Sequence, residues 1–348
     1  MSEGSPPEHP RASSNDPFQV AVVVALVLVI LAAAGGFAAS RLASRPTPSP
    51  SPAPTPFVRP SPTEPPDTGP LVFTQPLSAG CAAGDSVYVV SDGGGIGRFA
   101  FDRWQLIDPI ARTLSAALCV RDQVTAVGGG GRLITIDDTQ QTIRSDAVQV
   151  EDFLAVAPLA GGMLAVGRMG TVQRQGGNGW GVYASGIDED LYGVAAFDAT
   201  SAWIVGAGGV TYRLEPAGWR PVPSGVTVTL RAIAARAVDD AVVVGDDGVI
   251  LIWDGRWKPL DAPVHVAYRA ALRVDDITYI AGDHGTLLRL TGGASSPPTF
   301  YVVPLETTCT LRAVFSRGTD VWVIGSDGGR SAVWRITHTG VFHWGECP

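Results

Sequence analysis

The sequence predicts an all-β fold: a seven-bladed β-propeller of four-stranded blades, preceded by a single transmembrane helix and a Pro-rich stalk. Three observations predict it. A phrase of Val-Gly, two turn residues and Gly between two β runs recurs seven times beyond residue 71. Its copies stand 37 to 43 residues apart. A single uncharged apolar run lies near the N-terminus.

The chain divides in order. Residues 1–17 are polar and rich in Pro and Ser, a composition that favours disorder. Residues 18–40 contain AVVVALVLVILAAAGGFAA without a charge. About 20 such residues at about 1.5 Å each cross a hydrocarbon core of about 30 Å. A cleaved signal peptide is the competing reading, but the polar leader is long and carries only Arg11 as a basic side chain. An uncleaved signal anchor is expected. Residues 41–70 form the linker, with 11 Pro between positions 44 and 70, which excludes helix and sheet. Extended, it reaches roughly 80 Å. Residues 71–348 carry the repeats.

Orientation rests on opposed signals. Arg41 and Arg45 follow the span, which taken alone would leave the C-terminal side in the cytoplasm. The Cys usage and the stalk favour an exported propeller, and an extracytoplasmic, single-pass arrangement is expected. Cys81, Cys119, Cys309 and Cys347 all follow the apolar run, and none forms a CxxC pair. Three pairings are open. Cys81–Cys119 with Cys309–Cys347 is favoured, since each pair then lies at one end of the repeat array. Four buried free thiols are the plainer alternative.

The repeats run VYVVSDGGGIGRF from Val87, TAVGGGGRLITI from Thr125, MLAVGRMGTVQRQ from Met163, AWIVGAGGVTYRL from Ala202, AVVVGDDGVILIW from Ala241, TYIAGDHGTLLRL from Thr278 and VWVIGSDGGRSAVWRI from Val321. Aligned on Ser91, Gly128, Gly167, Gly206, Gly245, Gly282 and Gly325, they step by 37, 39, 39, 39, 37 and 43 residues. An upstream run such as LRAIAA and a downstream aromatic run such as RWKPL complete four strands per unit. The glycines are expected to supply the positive φ of tight turns. Trp104, Trp180, Trp219, Trp257 and Trp344 recur at the fourth strand, where blade-to-blade packing is the expected role. Ring closure is left open between the Cys309–Cys347 link and addition of LVFTQPL from Leu71 to an edge.

At these residues the repeats resemble BNR-type, sialidase-repeat-like propellers, and especially the photosystem II stability and assembly factor propellers. The resemblance covers residues 77–347. The full Asp-box is intact nowhere; Ser91-Asp92-Gly93 and Ser326-Asp327-Gly328 echo it in part. The resemblance implies an assembly factor or binding module more often than an enzyme.

Net charge is −8 and the pI about 5.1, which argues against nucleic acid as a partner. Arg231, Arg269 and Arg312 each stand second in the first strand of blades five, six and seven, the strands that line a propeller's channel. Three guanidiniums there suit an anion or a partner's carboxylate. The plainer reading is a solvated repeat position. The paired acids Asp239-Asp240, Asp275-Asp276 and Asp188-Glu189-Asp190 fit turn chemistry, with no EF-hand spacing. No zinc, P-loop or nucleophile-elbow motif is present, and no cofactor or metal is expected. The leading expectation is a membrane-anchored, non-catalytic scaffold binding an envelope protein or an anionic ligand. An exported sialidase-like glycoside hydrolase and a calcium- or glycan-binding adhesion module are the alternatives.

Overall fold

The computed structural model describes residues 75–107, 112–138, 142–147, 151–177, 179–293 and 296–347. The expected tail at 1–17, transmembrane helix at 18–40 and linker at 41–70 lie outside the described residues, as do 71–74. Among the described residues no helix is long and apolar enough to cross a membrane.

The described chain forms seven four-stranded antiparallel sheets, each built from four consecutive strands in sequence order. The first strands are Leu77–Ala83, Leu114–Val120, Phe153–Leu159, Leu191–Asp198, Leu230–Ala237, Tyr268–Val274 and Thr310–Arg317. Each packs on the next, and the seventh returns to the first, so the ring closes. These inner strands are rich in Ala and Gly because seven backbones converge there. A side chain at Gly193 would come within 3.2 Å of the Ala232 backbone in the next blade. Second strands are buried almost throughout, as in Ser86–Ser91, because neighbouring blades cover both faces.

Blade five shows the local rules. Its strands are Leu230–Ala237, Asp240–Gly245, Ile250–Trp253 and Trp257–Leu260, with a tight turn at Asp246–Gly248. The two glycines of that turn do different work. Gly245 is extended, at φ −160°, so positive φ is not its reason. A Cβ there would lie 2.3 Å from the Thr229 carbonyl, just ahead of the blade's own first strand. Gly248 does hold a left-handed φ of 76°, and its missing side chain makes room for His265 on the way to the next blade. The expectation that these glycines all serve positive φ is therefore corrected: the first admits the incoming chain and the second the outgoing one.

The fourth-strand tryptophans lie between blades or against their own. Trp257 packs on Trp203 and Trp253, and Trp219 on Tyr183. Trp180 packs on Phe153. Trp104 and Trp344 meet with Phe99 and Trp322 between the first and last blades.

The Cys309–Cys347 link lies within the last blade and does not cross the first–last seam. Of LVFTQPL, residues 71–74 lie outside the described residues; among Gln75, Pro76 and Leu77, only Leu77 enters a strand, the first of blade one. Ser331 pins the seam instead. Its Oγ accepts the Leu77 N–H at 3.0 Å, while its carbonyl accepts the Glu346 N–H at 3.2 Å. Arg312–Asp92 and Arg317–Asp85 add ion pairs across it, each at 2.9 Å.

The cysteines pair as favoured. Cys81–Cys119 joins the inner strands of blades one and two, with Cα atoms 5.5 Å apart. Cys309–Cys347 ties the segment before the last blade's first strand to the segment after its fourth, at a Cα separation of 5.9 Å. Each bond spans 38 residues, about one blade.

Two measurements check this account. Gly285 has φ 66° and a Cβ there would sit 1.9 Å from the Thr307 carbonyl, whereas Gly255 has φ 73° and open space. Gly285→Ala is expected to cost about 3 kcal/mol and Gly255→Ala about 1 kcal/mol in denaturant unfolding. Replacing Cys309 and Cys347 together by Ser is expected to cost about 2–4 kcal/mol in the same assay.

Candidate functional site

The turn after each second strand and the segment leading into each first strand share one end of the ring and form its mouth. Their proximity is fixed by a repeated hydrogen bond. The amide after the anchor residue donates to the carbonyl ahead of the first strand. Examples are Arg168 to Asp152 at 3.0 Å, Asp246 to Thr229 at 2.9 Å and Asp283 to Ala267 at 3.0 Å. The bond sets the start of the first strand beside the first turn residue.

Charges follow from that placement. Arg231 forks onto Asp246, with Nε to Oδ1 at 2.9 Å and Nη2 to Oδ2 at 2.8 Å. Arg269 forks onto Asp283 with the same pair of distances. It also lies 3.9 Å from the Asp246 carboxylate, so Asp246 joins the two arginines. Arg312 reaches Asp92 across the seam at 2.9 Å. The Arg231 guanidinium stacks over the Tyr192 ring at 5.1 Å. In blade three the polarity is reversed: the arginine sits in the turn and the acids precede the first strands. Arg168 binds Asp152 at 3.2 Å and Asp190 at 3.0 Å.

The three sequence-predicted arginines thus share the mouth, and two are adjacent, but each guanidinium already holds an aspartate. A cradle of free guanidiniums is not what the geometry presents. The arginine side chains remain 28% to 39% exposed, so the pairs are open to a partner from above. The sequence reading missed the aspartates. Their signal was present: Asp92, Asp246 and Asp283 each follow the anchor residue, in the blades that receive an arginine. Met169 and Tyr192 were also missed.

Asp283 is held below the usual carboxylate range, first by the hydrogen bond from Arg269, against opposing burial. Arg269 is raised in turn by Asp283. A separate polar hub lies on the opposite face. Burial opposes ionisation of Asp138, yet hydrogen bonds from Tyr88, Arg98 and Ser86 hold its pKa low. These tie blade one to blade two beside Cys81–Cys119. Tyr212 is pushed up by burial and by Glu189, so its phenol stays protonated, the opposite of an activated nucleophile. The paired acids Asp240 and Asp276 hold Arg236 on that opposite face, at 3.0 and 2.9 Å. They border a cleft of about 520 Å³. Among the described residues no group of three or more His, Cys, Asp or Glu is placed to hold a metal ion.

No protein-family model and no curated protein sequence matches this chain. Solved structures match its fold. The WD40 β-propeller domain of Doa1 aligns with a TM-score of 0.65 at 10% identity, covering 77% of this chain and 95% of that one. YCF48 bound to a D1 peptide aligns with a TM-score of 0.60 at 14% identity, covering 74% and 92%. The RRP9 WD40 repeats align with a TM-score of 0.59 at 10% identity, covering 72% and 88%. At these identities the likeness establishes the seven-bladed propeller and nothing finer. Membership of the BNR-repeat family is not shown.

The Arg269–Asp283 pair has a pH signature. A carboxylate whose folded pKa lies below its unfolded value stabilises the fold fully above that unfolded value, 3.8. The contribution is lost as pH falls from there through the folded pKa. Denaturation midpoints measured between pH 6 and pH 2 are expected to fall less steeply in Asp283→Asn than in the parent, on the order of a few tenths of a unit of urea molarity. Identical acid profiles would show that the pair stores no stability.

Proposed function

We propose that this chain is a protein-binding scaffold, held at the cell envelope by residues 18–40, whose propeller presents its mouth to a polypeptide partner. The observation that carries the reading is the set of fixed, part-exposed Arg–Asp pairs around the mouth. Such pairs offer donors and acceptors side by side, which suits a polypeptide's amides, carbonyls and mixed side chains. A small anion would have to displace Asp246, Asp283 or Asp92 first, which makes it the poorer occupant. The mouth is held firmly: six of its turns are pinned by backbone hydrogen bonds, the seventh by strand pairing of Ser326 with Thr310, and two disulfides stiffen the ring. A pre-organised surface loses little conformational entropy on binding. Similar propellers support the same direction, one of them in complex with a peptide. The expected topology sets the propeller outside the membrane, where its partner is another envelope protein.

The test is a pull-down from solubilised membranes with the parent chain and an Arg231/Arg269/Arg312→Ala variant matched for thermal midpoint. Proteins captured by the parent are expected to fall at least tenfold with the variant, as when charged hot spots are removed. Capture of the same proteins at equal yield by both would remove the mouth's arginines from the function.

A further inference from the structure

Met169 stands out on the rim of the mouth. It tips the turn of blade three, with φ 50° and 68% of its surface exposed. The same turn position in other blades carries Gly130, Gly208, Asp247 and His284, at φ between 55° and 65°. Glycine adopts that region freely, and Asp and His are enriched there. An unbranched apolar side chain at that point carries strain of about 1 kcal/mol and leaves its thioether in water.

The turn that displays it is firmly held. The Met169 N–H donates to Asp190 Oδ1 at 2.9 Å, and the Gly170 N–H to the Glu189 carbonyl at 2.8 Å. Arg168 beside it is clamped between Asp152 and Asp190. An exposed methionine on a fixed base contributes nothing evident to the fold, and its polarizable, adaptable side chain suits contact with another apolar group. The charges around it define what accompanies that group. The charges near the turn are mostly acidic: Asp152, Asp188, Glu189 and Asp190 stand against Arg168 and, at the adjoining blade-two turn, Arg112, so a partner's basic residues are favoured next to the apolar one.

We propose that Met169 is the apolar anchor of the mouth, receiving an apolar side chain that a partner segment presents between lysines or arginines. This rests on the reading that the mouth takes a polypeptide. It assigns blade three a role the arginine arc of blades five to seven does not supply.

The experiment uses the full chain in detergent and three fluorescent peptides read by anisotropy. One carries Leu between two Lys, one replaces the Leu by Ser, and one replaces both Lys by Glu. The Lys-Leu-Lys peptide is expected to bind about tenfold tighter than either control. Met169→Gly is expected to erase that preference while the thermal midpoint holds or rises, because strain is relieved. Met169→Leu is expected to keep the preference. Equal or absent binding of the three peptides by the parent overturns the proposal, and so does an unchanged preference in Met169→Gly. The two readings fail separately. Absence of the peptide preference in the parent, or its persistence in Met169→Gly, with pull-down partners still dependent on the arginines, removes Met169 alone. Arginine-independent capture removes the arc instead.

Discussion

An amide after the anchor residue, donating to the carbonyl ahead of the first strand, is the contact on which the propeller's geometry depends. It recurs in six blades, from Asp92 with Pro76 to Asp283 with Ala267, at 2.9 to 3.0 Å. In five of the six the anchor is glycine, and a Cβ there would lie 1.9 to 2.7 Å from that carbonyl, whereas blade one accommodates Ser91. Blade seven departs from the rule. Its second strand runs on to Asp327 and pairs Ser326 with Thr310, so its ladder takes over the role of the single bond. The period of about 39 residues is the length needed to bring the chain out along four strands and back to that contact.

The charge pattern of the mouth is a consequence of the same contact. Once the turn and the first strand lie side by side, a charge at one position faces the other. Blades five and six place Asp in the turn and Arg in the strand; blade three places Arg in the turn and Asp before the strand. The opposite signs are kept while the positions are exchanged, as expected if the pairing and not the individual residue is what the backbone imposes. Because these pairs are part-exposed, each adds little to stability on its own. Their larger effect is to hold side chains in fixed orientations.

Much of the fold was legible because a repeat states its own architecture. The spacing of Ser91 to Gly325 fixed the number of blades, and the upstream and downstream runs fixed the number of strands. The cysteine pairing was readable from position. The role of the anchor glycine was not, because the clash it avoids is with a residue some 15 positions earlier, and a single sequence displays no such contact. Ring closure was hidden for the same reason: Leu77 and Ser331 are 254 residues apart. The arginines of the mouth were found by their strand position, while their aspartates were absorbed into turn chemistry. Met169 gave no sequence signal, since its exposure and backbone conformation exist only in three dimensions.

Ser331 receives both ends of the propeller, Leu77 by its hydroxyl and Glu346 by its carbonyl. The first–last seam is the one junction between blades that no peptide bond crosses, so six seams are covalently joined and the seventh is held by side chains and a serine. The disulfides lie on either side of it, one binding blade one to blade two and the other securing the final strand to its own blade. A ring built this way behaves as a split washer with reinforced tips. Parting this slit breaks no covalent bond, whereas parting any other seam strains the chain that joins its two blades. Tension delivered through the chain ahead of Leu77 arrives at that slit before it reaches any other part of the ring.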